Sequence, residues 1–182
     1  MIYTFGGMTY SRHKIKHAMK FSRFLNISKN RNVLMVDGSN SSFVTMYLAS
    51  RQMSDLKIVT MNEDEILEKL PSVSKDFDDV VINSAVGPHL DASLKISDRL
   101  VVPFSPADLS LWNMWKLTNI ERQIDAALDE NPKLKSHSFI VKADKQYDDL
   151  DAFINRLENS QYLEYMPSEE AINSNDLETY YE

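Results

Sequence analysis

Val33-Leu34-Met35-Val36-Asp37-Gly38 is an apolar run without polar alternation, closed by an acid and a glycine. Successive residues of a strand face opposite sides of its sheet, so a half-exposed strand alternates polar and apolar side chains. Four apolar residues in a row therefore predict a strand buried on both faces, as in a parallel sheet covered by helices on each side. The pattern returns at Val80-Val81-Ile82, at Leu100-Val101-Val102-Pro103-Phe104 and at Ser138-Phe139-Ile140-Val141. The chain also opens on a short β-rich run, Ile2-Tyr3-Thr4-Phe5, which stops at Gly6-Gly7. Lys57-Ile58-Val59-Thr60 reads as a strand or extended edge, and Tyr162-Leu163-Glu164-Tyr165-Met166 as a last edge strand.

Helical periodicity fills the gaps between these runs. From Ser11 onward, Ile15, Ala18, Met19, Ser22 and Leu25 share one helix face. Further helices are predicted over residues 43–53, from Asp64 to Leu70 with Pro71 as the stop, from Leu111 to Leu128 ending near Asn131-Pro132, and from Asp148 to Leu157. Asn83 leads into a loop holding Gly87-Pro88. Strands alternating with helices give an α/β class: a mostly parallel sheet flanked by helices on both faces. The expected layout is a single domain over residues 1–166, followed by an acidic, weakly ordered tail over 167–182. In such sheets ligands sit beyond the carboxyl ends of the strands. That places the candidate site at Gly6 to Arg12, Asp37 to Ser41, Asn83 to Pro88 and Ser105 to Asp108.

Composition narrows the class further. The 182 residues are 43% hydrophobic and 26% charged, which suits one globular domain, and no apolar run approaches the ~18 residues of a membrane span. With no cysteine there is no disulfide framework, thiol nucleophile or thiolate metal site. His13 and His17 stand four apart on one helix, a spacing that metal sites use, but lack an evident third ligand and read as part of a solvated basic face. The N-terminal residues show no signal-peptide pattern, so the expected location is cytoplasmic, with no membrane partner. The net charge of −7 is unevenly spread: residues 1–36 hold seven Lys or Arg and no acid, and residues 157–182 hold seven acids and no Lys or Arg. Arg12, Lys16, Lys20 and Arg23 fall on one face of the first helix, a stripe that suits phosphate backbones or plain solvation.

The order of these segments resembles the ParA/MinD family of deviant Walker A ATPases, in its short plasmid-partition branch. The strand running into Gly6-Gly7-Met8 and a helix resembles the family's Lys-Gly-Gly-x-Gly-Lys-Thr-Thr element. Val33 to Asp37 is similar to its second strand, which ends in a catalytic-site Asp, and Phe77-Asp78-Asp79-Val80-Val81-Ile82-Asn83 to its Walker B strand. Ser97-Asp98-Arg99-Leu100-Val101-Val102-Pro103-Phe104-Ser105-Pro106-Ala107-Asp108-Leu109 is similar to the family's Asp, apolar strand, Pro and Ser-Pro stretch. The resemblance covers residues 1 to about 145 and implies a P-loop fold with Gly6, Gly7, Thr9, Tyr10, Ser11, Arg12, Asn83 and Pro106 around a nucleotide. It further implies Asp37 as the catalytic candidate, Ser11 and Asp37 as the magnesium candidates, and ATP or ADP with Mg²⁺ as the cofactor unless none is required. A homodimer, non-specific DNA held by Arg12, Lys16, Lys20 and Arg23, and a partition adaptor or ATPase relative are the implied partners.

Several positions depart from the family pattern. Alignment on Gly6-Gly7 puts Phe5 on the signature Lys, Thr9 on the third Gly and Tyr10 on the Walker Lys, and Asn83 replaces the Walker B Asp. A phosphate cradle needs glycine for its backbone and a Lys for charge, so both terms are weakened. Arg12, Lys14 or Lys16 can supply a charge from a shifted position, aided by the helix N-terminus. Other constellations carry less. Ser39, Ser41 and Ser42 lack a Gly-x-Ser-x-Gly elbow, and Trp112 and Trp115 sit on a helix as core residues would. Two functions stay open: a ParA-like partition or positioning protein with a degenerate Walker site, acting as a binding or regulatory module, and an active ATPase with an unorthodox P-loop that dimerises on ATP.

Overall fold

A computed structural model describes residues 1–6, 12–38, 56–104 and 122–140. Among these residues six parallel strands form one sheet: β1 (Ile2–Phe5), β2 (Val33–Asp37), β3 (Lys57–Thr60), β4 (Asp79–Asn83), β5 (Arg99–Phe104) and β6 (Lys135–Ile140). Their order across the sheet is β3-β2-β4-β1-β5-β6. β1 thus lies between β4 and β5, with Phe5 level with both Asn83 and Val101. β2 lies between β3 and β4, with Asp37 level with Thr60 and Asn83. The unbroken apolar runs behave as their pattern requires: all five residues of β2 and all five of β4 are buried.

Alternation divides each run between two cores. Tyr3, Phe5, Val33, Met35, Val81 and Val101 face helix α1 (Arg12–Arg23) and pack on its Ile15, Ala18, Met19 and Phe21. The even-numbered Leu34, Val36, Val80 and Ile82 face the opposite way and pack on Ile66, Leu70 and Ala92. Phe21 lies edge-on to Tyr3 at 4.8 Å between ring centroids and 5.7 Å from Phe5, the spacing of favourable aromatic pairs. The result is three layers, helix, sheet and helix, as the sequence pattern predicts. After α1 the chain continues through a π-helical segment, Phe24–Ser28, before turning at Asn30, whose φ of 50° is left-handed.

The opposite layer is built from α2 (Glu63–Glu68) and α3 (Pro88–Ile96), which pack on each other. Asn62 caps α2 by accepting from the Glu65 amide, and the Glu65 side chain accepts in return from the Asn62 amide, a reciprocal box that pins the helix start. Pro71 does not end this helical region as predicted. It sits in the first turn of Leu70–Val73, where no backbone donor is needed, and a 3₁₀ turn, Ser74–Asp76, follows. Gly87-Pro88, expected within a loop, opens α3: Gly87 has a φ of 75°, a conformation glycine adopts freely, and Pro88 occupies the first turn.

At the amino ends of the strands, Asp79 is fully buried and paired with Arg31 Nε at 2.5 Å. Burial raises the Asp79 pKa against the opposing pull of Arg31. β6 begins at Lys135, three residues ahead of its predicted start, and residues 122–130 are helical up to Asn131, as predicted. The helices expected over 43–53 and 148–157, the strand at 162–166, the tail and most of the Trp112 helix lie outside the described residues.

Candidate functional site

Three strand ends converge where the fold rule places a ligand. β1 ends at Phe5-Gly6, β2 at Asp37-Gly38 and β4 at Asn83-Ser84, and α1 lies across the same edge. The alternation that sends residues 33 and 35 toward α1 also sends Asp37 there, and Asn83 follows residue 81 in the same sense. Asp37 and Asn83 are level across the β2–β4 ladder, and Asn83 Nδ2 donates to Asp37 Oδ1 at 3.0 Å. Both side chains are buried, at 0% and 1% exposure.

Lys14 completes this group. Its side chain turns inward from the first turns of α1 to 3% exposure, and Nζ donates to the Ser84 carbonyl oxygen. Burial drives its pKa down to about 8, while the nearby Asp37 carboxylate pulls the other way. Of the three cations expected to offer charge from a shifted position, Lys14 is seated among these strand ends. Arg12 and Lys16 belong to α1, but their side chains lie outside the described residues.

His89, from the first turn of α3, closes the group from the other layer. Nε2 lies 3.1 Å from the Met61 carbonyl, which can only accept, so this nitrogen carries the proton. Nδ1 is left to accept, with Ser84 Oγ at 3.0 Å. Burial lowers the His89 pKa and keeps the ring neutral. The ring rests directly on Gly38: a Cβ added there would lie 1.9 Å from Nε2. Gly38 is therefore required by the approach of this imidazole. Gly6 is similarly confined, since an added Cβ would meet Leu100 at 2.9 Å and Leu90 at 3.0 Å.

The expected site residues fall into three groups. Asp37 and Asn83 are brought together. Gly6 borders them, with its amide donating to the Val101 carbonyl at 3.0 Å. Gly7, Thr9, Tyr10, Ser11 and Pro106 lie outside the described residues. In the basic stripe, Lys20 and Arg23 are exposed on α1. His17, read as part of a solvated face, is buried at 2% exposure, because the buried face of α1 is wider than its apolar residues indicate. Gly38 and Ser84 fall within the stretches expected to line the site, whereas His89, one residue beyond Asn83 to Pro88, was not singled out by sequence. The available signal for His89 was its place at the start of the helix that follows the Asn83 loop.

The ParA-like pattern implies a nucleotide with magnesium, so the described residues can be tested for fit. Magnesium takes octahedral oxygen ligands and is usually held by one or two carboxylates with phosphates and water. Here the carboxylate of Asp37 accepts from an amide and lies in the field of a buried ammonium. No group of three or more His, Asp or Glu is placed to hold a metal among the described residues. These residues do not fit a divalent cation. Lys14 does supply a positive charge of the kind that phosphates need.

No family model matches the chain, and no curated protein matches it significantly. Solved structures do resemble it. A Borrelia burgdorferi chain described as a plasmid partition protein, bound to AMPPNP, superposes with a TM-score of 0.67 at 14% identity, covering 97% of this chain and 90% of its own. A ParA family ATPase from Chlorobium tepidum gives 0.65 at 13% identity, covering 98% and 92%. The MinC:MinD cell division complex of Aquifex aeolicus gives 0.64 at 8% identity, covering 97% and 85%. The chain has the ParA/MinD-like P-loop fold, and the fold is what likeness at these identities establishes. Among the described residues, no helix is long and apolar enough to cross a membrane.

Proposed function

We propose that this chain is a ParA-like partition or positioning protein that acts as a binding or regulatory module and not as an efficient ATPase. The observation that carries this reading is the buried Lys14 ammonium bonded to the Ser84 carbonyl within reach of Asp37. A carboxylate that orients or polarises water for phosphoryl transfer must be accessible to that water and to a metal-bridged phosphate. Asp37 is fully buried, accepts from Asn83 and has a cation of the chain's own beside it. The ends of β1 and β2 point the same way, since the Gly6 amide is held by Val101 and the Gly38 amide by the Asn83 carbonyl.

In this role the protein engages a partition adaptor or an ATPase of the same fold and needs no nucleotide to do so. Lys20 and Arg23 leave α1 an exposed basic end suited to non-specific duplex DNA. The expected result is ATP turnover no faster than that of a Tyr10→Ala, Ser11→Ala double variant. Magnesium-dependent turnover abolished by Asp37→Ala would refute this reading and favour an ATPase that dimerises on ATP. The AMPPNP-bound structural neighbour is the observation that keeps the latter in view.

A further inference from the structure

Charge is divided between the two ends of this chain in a way that the site at the strand ends does not use. Residues 1–36 hold seven Lys or Arg and no acid, and the segment 167–182 holds Glu169, Glu170, Asp176, Glu178 and Glu182 with no Lys, Arg or His. The basic end is exposed where α1 runs into the π-helical segment Phe24–Ser28. Lys20 and Arg23 face solvent there, and neither makes an ion pair among the described residues. By contrast, the exposed Lys69 and Lys95 each hold an acid, Glu65 at 2.7 Å and Glu130 at 3.1 Å. Ile27, at 56% exposure, stands between Arg23 and Lys29 in the chain, and the Lys29 ammonium lies 5.8 Å from the Phe24 ring centroid. The wide turn is pinned by its own backbone: the Lys29 amide donates to the Phe24 carbonyl at 3.3 Å, and the Arg31 amide to the Leu25 carbonyl at 3.1 Å. A preformed surface with cations around an exposed aliphatic side chain fits an acidic segment that also carries apolar residues.

We propose that the acidic segment 167–182 docks within the same molecule on the basic end of α1, over Lys20, Arg23 and Ile27. It matches that surface in both respects, since its acids are interspersed with Ile172, Leu177, Tyr180 and Tyr181. Reach does not limit the contact. α1 packs on β1, β4 and β5, and β6 is separated from β1 by β5 alone, about 10 Å at the usual strand spacing. The ~27 residues between Ile140 and Pro167 span up to ~90 Å when extended. Exposed ion pairs are individually weak and screened by salt, but a tethered segment meets its surface at a high effective concentration. The docked segment covers cations that duplex DNA would otherwise meet, so the two compete for the same end of α1. This proposal goes beyond the reading of the strand-end site, and its test involves neither nucleotide nor DNA.

The chain has no cysteine, so Ser174→Cys gives a single attachment point for a nitroxide within the segment. Broadening of backbone amide resonances is measured in the isotope-enriched full chain, with the reduced nitroxide as reference. The expected result at ~0.02 M salt is loss of most of the signal at residues 20–29, with α2 on the other face of the sheet unaffected, and recovery at ~0.5 M. Two further chains carry the charge test: Lys20→Glu with Arg23→Glu, and Glu169→Gln, Glu170→Gln, Asp176→Asn, Glu178→Gln and Glu182→Gln together. Each should keep the signal at residues 20–29 at low salt. The second set leaves every described residue unchanged, so it decides the matter even where the first fails to fold by circular dichroism. A mixture of enriched chain without nitroxide and unenriched labelled chain reports contact between copies and should show no loss. No loss at residues 20–29 would overturn the proposal, as would equal loss in α2. So would a loss that survives high salt or neutralisation of the acids, or one that appears equally in the mixture.

Discussion

Replacing Lys14 by Met should flatten the alkaline stability profile of the protein. The ordinary lysine value of 10.5 falls to about 8 in the folded chain, chiefly through burial. Between those values the unfolded chain binds a proton that the native chain has released, so the free energy of unfolding rises with pH. The slope from this residue approaches ~1.4 kcal/mol for each pH unit, giving ~2–3 kcal/mol between pH 8 and 10. Above pH 10 the opposite influence enters. Tyr3 is pushed up to about 12, first by burial and then by Asp79, so the native chain retains a proton that the unfolded chain loses. The Lys14 window is therefore pH 8 to 10. Urea unfolding followed by circular dichroism at half-unit intervals measures the profile. The difference between wild type and Lys14→Met should grow steadily in favour of wild type across that window. Parallel profiles would refute the argument, because they would mean that Lys14 exchanges its proton in the native state as it does in the unfolded chain.

Other consequences follow from the same geometry. Gly38→Ala should destabilise the fold by ~1–3 kcal/mol, since its Cβ would enter the His89 ring, and His89→Ala should relieve much of that loss in a double-mutant cycle measured by urea unfolding. His89 has its pKa held below 6.5 by burial, so the unfolded chain takes up a proton that the native chain resists. Stability should accordingly fall as pH drops below 6.5, and His89→Gln should reduce that fall in thermal melts at pH 5 to 7. Asn62→Ala removes one half of the reciprocal cap of α2 and should cost ~1 kcal/mol, read as a lower melting temperature with an unchanged m-value in urea.

The parallel sheet was legible in sequence because its inner strands are buried on both faces, and continuous apolar runs such as Val33–Val36 and Val80–Ile82 arise from that condition alone. That Asp37 and Asn83 lie side by side at the carboxyl edge was legible for a related reason, as each closes such a run at its carboxyl end. The α3 helix was not legible. Its buried residues mix Leu90, Ala92 and Leu94 with the polar His89 and Ser93, and the buried Ser97 stands just beyond its end. Those hydroxyls satisfy themselves locally, Ser93 Oγ donating to the His89 carbonyl and Ser97 Oγ to the Ser93 carbonyl, both at 2.7 Å. Periodicity of hydrophobicity is blurred where polar groups share the buried face in this way.

Lys14 marks the same boundary more sharply. A lysine on an amphipathic helix reads as solvent-facing, because a lone buried ammonium is too costly to expect. Residues 14, 37 and 84 are far apart in the chain, and only the β2-β4-β1 order brings the ends of these strands beneath the first turns of α1. Local sequence determined the inner strands, several of the described helices and the edge at which the candidate site was sought. The tertiary structure decided that one of the chain's own cations would be buried there, because the carboxylate and carbonyl that stabilise it come from separate strands.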